Sequence, residues 1–88
     1  MPGGWSLVAT NDPGVKAAAE HAVSAQAAAT GEKLKLVTVQ EARQQVVAGM
    51  NYRLTLAVDQ NGNQTTAEAV IWAKLDGSYE LSGWSWTK

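Results

Sequence analysis

Few residues of this chain have the type and spacing that catalysis or metal binding requires. His21 is the only histidine, and no second ligand or base follows it at a catalytic or metal-binding spacing. Asp59, Glu68 and Glu80 could form carboxylate pairs, but their polar neighbours on expected strands and turns favour solvated charges. The chain has no cysteine, which excludes disulfides and thiolate metal sites. We therefore expect no catalytic residue, no metal site, no cofactor and no enzyme activity.

The tryptophans could instead bind a ligand, since aromatic rings can form a platform for a carbohydrate or another ring-shaped molecule. Three of the four tryptophans, Trp72, Trp84 and Trp86, lie near the C-terminus. Strand alternation places Trp84 and Trp86 on one face, and we expect Trp72 to lie across from them. An aromatic cluster between neighbouring strands is therefore the favoured interpretation.

An apolar run in the middle of the chain is the most unusual feature of the sequence. Val46-Val47-Ala48-Gly49 stands between two strand patterns, at a place where exposed turns usually carry Asn, Asp, Ser or Gly. The run could be an inward-facing strand end that finishes at a turn glycine. On composition alone that interpretation would normally be favoured over the alternative, an exposed surface that binds a partner.

One helix and a series of strands must position this run. Asp12-Pro13 predicts a helix start, and Gly31 predicts a left-handed cap at its end. Between them, small or apolar residues recur at helical spacing: Val15, Ala18, Ala19, Ala22 and Val23. This pattern indicates one amphipathic helix with a narrow apolar stripe.

Strand patterns with turn signals follow the helix. Residues 34–39 predict a strand with a bulge, since the apolar phase slips between Leu36 and Val37. Asn61-Gly62 is the strongest hairpin signal, and Asp76-Gly77 is a second turn signal. Further strands are expected at residues 52–58, 65–75 and 79–86. The fold class is therefore α+β, with one N-terminal helix wrapped by a four- to five-stranded antiparallel sheet.

Length and charge restrict the domain organisation and the partners. A chain of 88 residues fits one domain, in which residues 1–11 are expected to form a flexible or extended N-terminal arm. A net charge of −1 gives no basic surface for nucleic acid or an anionic membrane, and no apolar run is long enough to span a bilayer. The lack of cysteine and of a visible signal peptide favours a cytoplasmic location over secretion, although a mature secreted form would look the same.

These pieces together resemble the cystatin superfamily. Gln45-Val46-Val47-Ala48-Gly49 fits the Q-x-V-x-G hairpin of cystatins, and it stands between two strands and behind one helix. Pro2-Gly3-Gly4 resembles the glycine-bearing trunk of the stefins, which are single-domain inhibitors without cysteine. Residues 18–23 are similar to the helix segment of plant cystatins, with His21 where an aromatic residue is usual. Residues 34–39 and 81–84 are similar to the first long strand and to the final strand.

The resemblance implies a function that depends on binding alone, with no chemical step. Its members are reversible, tight-binding inhibitors of papain-like, cathepsin-type cysteine proteases, and three segments occlude the active-site cleft while the catalytic cysteine is covered and not attacked. In this chain the protease-binding residues would be Gly3, Gly4, Gln45, Val46, Val47, Ala48, Gly49, Leu75, Asp76 and Gly77. The last three depart from the Leu-Pro-Gly of stefins because Asp76 replaces the proline.

Three alternatives accompany this hypothesis. A non-inhibitory binding module on the same fold would explain the altered Leu75-Asp76-Gly77 segment. A small isomerase-like enzyme would need a pocket with a buried acid, for which the chain has no candidate. A monomer is expected, but a domain-swapped dimer, in which residues 45–49 straighten into one long strand, would bury the binding surface.

Overall fold

One helix and five antiparallel strands make up the part of the chain that the structure, a computed structural model, describes: residues 4–87. In chain order they are β1 (Ser6–Leu7), α1 (Pro13–Thr30), β2 (Leu34–Val47), β3 (Gly49–Gln60), β4 (Asn63–Ala73) and β5 (Tyr79–Trp86). The strands follow one another across the sheet in the order β1-β2-β3-β4-β5. The predicted helix wrapped by a four- to five-stranded antiparallel sheet is confirmed.

Both ends of α1 lie where the sequence predicts them. The Asp12 carboxylate accepts hydrogen bonds from the backbone N–H groups of Gly14 and Val15, at 3.0 and 3.3 Å. Gly31 adopts a left-handed φ of 76° and donates its N–H to the Ala27 carbonyl at 2.8 Å. The two caps satisfy backbone groups that the helix itself leaves without partners.

The core forms where the small-residue stripe of α1 lies against the sheet. The helix buries Val15, Ala18, Ala19, Ala22 and Val23. Opposite them the sheet buries larger side chains, among which Leu54, Leu56 and Ile71 have no exposed surface. Alanine brings the helix backbone close to the sheet, and the leucines and isoleucine are the largest of the fully buried side chains. Burial of one such side chain stabilises a fold by about 1.5–3 kcal/mol.

Two irregularities bend β2. The pairing of β2 with β3 shifts between Leu36 and Thr38, and again between Val39 and Glu41. Val37, at the first shift, is half exposed, which confirms the bulge expected from the slipped apolar pattern. The second irregularity was not predicted. Bulges increase local twist and curvature, so both help the sheet to wrap around α1.

A short strand lies within the expected N-terminal arm. Ser6 pairs with Gln44 and Leu7 with Arg43, and the Val8 N–H donates to the Ala42 carbonyl at 3.0 Å. Two residues give no sequence pattern, so β1 was not foreseen as a separate element. Its antiparallel register directs Gly4, two residues before β1, toward the end of β2.

The expected cluster of three tryptophans is wrong in one respect. Trp84 and Trp86 form an edge-to-face pair with ring centroids 5.3 Å apart, and they lie opposite the buried Ala69 and Ala67. Trp72 follows the buried Ile71, so strand alternation places its ring on the other face of the sheet. The C-terminal tryptophans therefore lie on opposite faces of the sheet, Trp84 and Trp86 on one and Trp72 on the other.

Candidate functional site

Three segments meet at one end of the sheet. Met50 pairs with Ala73, and Ala73 pairs with Tyr79, so the β2–β3 hairpin ends beside the β4–β5 hairpin. We name residues 45–49 the first tip and residues 75–77 the second tip. The register of β1 brings Gly4 to the same end. Gly4 and the two tips together are called the three-segment edge; the predicted site residue Gly3 lies outside the described residues.

The first tip is an exposed apolar turn. Val46 and Val47 are 73% and 40% exposed, although valine usually faces the interior of a sheet protein. Val47 pairs with Gly49, so Ala48 alone connects β2 to β3. Behind the turn the Asn51 amide donates to the Gln45 side-chain oxygen at 3.1 Å. The inward-facing interpretation of this run is therefore wrong, and its apolar surface is available to a partner.

A direct contact joins the first tip to the neighbouring hairpin. The indole N–H of Trp72 donates to the Ala48 carbonyl at 2.8 Å. Gly49 has a φ of 100°, and a Cβ built on it would collide with the Ala73 carbonyl oxygen. Glycine is thus required here by the close approach of the two hairpins as well as by the backbone angle.

The second tip combines one apolar side chain with a polar turn. Leu75 is 83% exposed. The Asp76 carboxylate accepts from the backbone N–H of Ser78 at 2.9 Å and from its hydroxyl at 2.6 Å, and Gly77 adopts a φ of 90°. The Ser78 hydroxyl, followed by the Ser78 amide, lowers the pKa of Asp76 below its usual value. Asp76 therefore stabilises the turn through its hydrogen bonds, whereas a proline at this position would do so by restricting the backbone angle.

Lys74 directly precedes the second tip and lies over the Trp72 ring. Its ammonium group is 2.9 Å from the Glu80 carboxylate and 5.2 Å from the centroid of the Trp72 ring. The hydrogen bond that the Lys74 ammonium donates to the Glu80 carboxylate is the main reason that the pKa of Lys74 is raised. These exposed contacts place a cation over the indole that reaches Ala48.

The candidate catalytic and metal-binding residues make contacts of a structural kind. His21 is half buried, and its ring centroid is 5.6 Å from that of Tyr79, which fits the interpretation of a packed ring. Glu68 pairs with Arg53 on the sheet surface. Within residues 4–87, no three His, Asp or Glu side chains are grouped so that they could hold a metal ion. No helix in the same range has the length and apolar character needed to cross a bilayer.

Comparison with known families decides the identity of the fold. The family model described as the cystatin domain matches residues 3–86, nearly the whole chain. The protein belongs to the cystatin family. Cystatins are protease inhibitors and not enzymes, so membership supports protease inhibition in general and confirms the expectation that the chain is no enzyme.

Individual cystatins show how far the likeness extends. Cysteine proteinase inhibitor 5 of Arabidopsis thaliana is 39% identical over 74 residues, which cover 82% of this chain and 61% of that protein. The chain thus spans less than two thirds of that relative. The salivary cystatin of the soft tick Ornithodoros moubata superposes with a TM-score of 0.84 at 24% identity, over 100% of both chains. Dimeric human cystatin F gives 0.84 at 20% identity, over 98% of this chain and 87% of that one. The two superpositions establish the cystatin fold.

Proposed function

We propose that this cystatin is a reversible, tight-binding inhibitor of papain-like cysteine proteases, of the stefin kind. Its three-segment edge enters the active-site cleft of the protease and occludes it. The exposure of Val46, Val47 and Leu75 at one end of the sheet carries the proposal. These side chains are turned away from the core, so the fold gains little from them, whereas a partner that covers them gains apolar burial.

The residue types suit occlusion. Each square ångström of apolar surface removed from water contributes about 25 cal/mol, and valine has little side-chain entropy to lose on binding. The two tips belong to hairpins of one sheet, which reduces the ordering cost of association. Following the family resemblance, Gly4 would lie on the non-primed side of the cleft and the two tips on the primed side.

The direct test is titration of papain whose active sites have been counted, with the purified monomer of this protein. We expect a stoichiometric loss of activity and full recovery of the protease on dissociation. If the monomer inhibits none of several papain-like proteases, the protein is a non-inhibitory binding module on the cystatin fold. The monomer must be separated first, because a swapped dimer would bury the first tip.

We also infer that binding is non-covalent, since the exposed tips carry neither a nucleophile nor a substrate-like loop. Papain whose catalytic thiol has been capped with a small blocking group should still bind, although more weakly than the free enzyme. Calorimetry or surface-based binding with capped and free papain measures the difference. Complete loss of binding to the capped enzyme would indicate a substrate-like or covalent mechanism instead.

A further inference from the structure

We propose that Trp72 is a positioning residue for the three-segment edge: its indole N–H fixes the first tip to the β4–β5 hairpin, so that the two tips act as one preformed surface. The proposal rests on the proposed inhibitory function for its consequence, but its structural part can be tested without a protease. It concerns a residue outside the expected binding segments, since Trp72 lies in β4 and precedes the second tip.

The hydrogen bond reaches the part of the first tip that strand pairing does not hold. Ala48 is the connecting residue between β2 and β3, and its carbonyl accepts the indole N–H at 2.8 Å. Ladder pairs hold the flanking Val47 and Gly49 to each other. The indole therefore supplies a restraint on the connecting residue from outside the β2–β3 hairpin.

The backbone of the first tip provides a second, independent observation. Gly49 lies so close to β4 that an added Cβ would collide with the Ala73 carbonyl oxygen and would lie 3.2 Å from the Trp72 indole nitrogen. A glycine with a φ of 100° thus allows the two hairpins to approach until the indole reaches Ala48. This contact is internal to the inhibitor, and it explains the glycine without any contact to a protease.

The position of the Trp72 ring has no explanation in core packing. The ring is on the face of the sheet away from α1, and Trp72 is absent from the buried core, whereas its strand neighbour Ile71 is fully buried. On this outer face the Lys74 ammonium lies 5.2 Å from the ring centroid and also contacts Glu80. The contacts thus run from Glu80 through Lys74 and Trp72 to Ala48, across the two hairpins.

The inference predicts a kinetic signature. If the hydrogen bond favours the conformation of the first tip that can bind, its removal lowers the fraction of free inhibitor in that conformation. The bound complex is left unchanged. The association rate constant then falls and the dissociation rate constant stays the same. A residue that touches the protease directly has the opposite signature, because loss of interface contacts mainly accelerates dissociation.

The experiment compares Trp72→Phe with Trp86→Phe in the full chain. Both variants remove one indole N–H, but Trp86 lies at the far end of β5, away from the edge. Amide hydrogen exchange at residues 47–50 of the free proteins, followed by NMR, should be faster in Trp72→Phe and unchanged in Trp86→Phe. With papain, Trp72→Phe should associate between about twofold and tenfold more slowly, the range expected for one lost hydrogen bond, and should dissociate at the parent rate.

A second variant approaches the same contact from the other hairpin. Gly49→Ala should push the tip away from Ala73 and accelerate exchange of the Trp72 indole proton, so the proposal stays testable if Trp72→Phe fails to fold. Unchanged exchange at residues 47–50 in Trp72→Phe would overturn it, and so would faster dissociation with normal association. If the parent protein does not inhibit papain, the proposed function fails, but the exchange experiment still decides whether Trp72 holds the tip.

Discussion

Two hairpin turns at opposite ends of β3 follow different rules. The β3–β4 turn, Asn61-Gly62, has the left-handed backbone of a two-residue hairpin, with φ values of 52° and 94°. Asn61 also exchanges two hydrogen bonds with Lys33, one from its own N–H at 2.9 Å and one to its side-chain oxygen at 3.1 Å. Each residue of this turn has a clear role in forming the hairpin or in holding it to the chain after α1.

The first tip, at the other end of β3, does not follow the residue preferences that the β3–β4 turn follows. It presents Val46 and Val47 to solvent, and its restraint from outside the hairpin comes from Trp72. A polar turn would close the same two strands with less exposed apolar surface. The difference indicates that the residues of the β3–β4 turn serve the fold, whereas the exposed valines of the first tip make sense only with a partner.

A charge at the first tip gives the largest expected effect. Val47→Asp should weaken inhibition of papain at least tenfold, because the carboxylate would have to leave water in an apolar contact. Val47 is 40% exposed, so the free energy of unfolding should change by no more than about 1 kcal/mol. Inhibition titration and denaturant unfolding of the separated monomer measure the two quantities.

A matched control places the same charge at the other turn. Asn63 is exposed at the start of β4, beside the β3–β4 turn. Asn63→Asp adds the same charge as Val47→Asp and should leave inhibition unchanged. If Val47→Asp unfolds the protein, Val47 is needed by the fold and the contrast between the turns is lost.

The N-terminal arm should behave like the first tip and not like the β3–β4 turn. Deletion of residues 1–4 should leave the melting temperature unchanged, since Gly4 is exposed and precedes β1. The dissociation rate from papain should rise several-fold, with a smaller change in association. Gly4→Glu should act similarly, because it adds a bulky charge where the arm approaches the cleft.

Trp5 needs its own control in that experiment, because it adjoins Gly4 and is half buried. Trp5→Ala would report loss of packing by the arm, which could imitate an effect of the deletion. Dissociation rates for the deletion, Gly4→Glu and Trp5→Ala separate the two causes. If neither the deletion nor Gly4→Glu dissociates faster than the parent, the arm is not part of the binding edge.

The features that sequence could predict are those with a local cause. The helix caps Asp12 and Gly31 and the turn Asn61-Gly62 form through their own backbone angles or through hydrogen bonds within a few residues. The two helix ends and the turn therefore lie where the sequence predicts them. The slip at Val37 was also visible, because a bulge changes the alternation of neighbouring residues.

The features that sequence could not predict depend on contacts between distant segments. The two-residue β1 is defined by its pairing with β2, and no pattern of its own marks it. The face occupied by Trp72 depends on which residues of β4 lie over α1, and its contact with Ala48 joins residues 24 positions apart. The candidate site followed from the resemblance of residues 45–49, while the link that holds this site together came only from the structure.

A substitution in the β3–β4 turn should have the opposite effect, lowering stability and leaving inhibition unchanged. Asn61→Ala should destabilise the fold by about 1–2 kcal/mol, since alanine resists the left-handed angle and cannot accept from the Lys33 amide. Inhibition by the folded fraction should be unchanged. Denaturant unfolding and papain titration check the two expectations, and a loss of inhibition without a loss of stability would contradict them.

The second tip should give the smallest effect, because it combines the two kinds of turn: Leu75 is exposed for a partner, while Asp76 holds the turn through Ser78. The Ser78 hydrogen bonds lower the pKa of Asp76, so the ionised form is favoured in the folded turn. A lowered pKa means that this contribution is complete above the ordinary value of 3.8 and is lost as the pH falls through the lowered pKa.

Inhibition near neutral pH should therefore be insensitive to the titration of Asp76. An NMR titration of the Ser78 amide should show a midpoint below 3.8, and Ser78→Ala should move the Asp76 midpoint back toward that value, because the hydroxyl is the largest cause of the shift. A midpoint at or above 3.8 in the parent would mean that Asp76 does not hold the turn. The exposed residues of the second tip would then resemble the exposed valines of the first tip, for which the fold offers no role and a binding partner does.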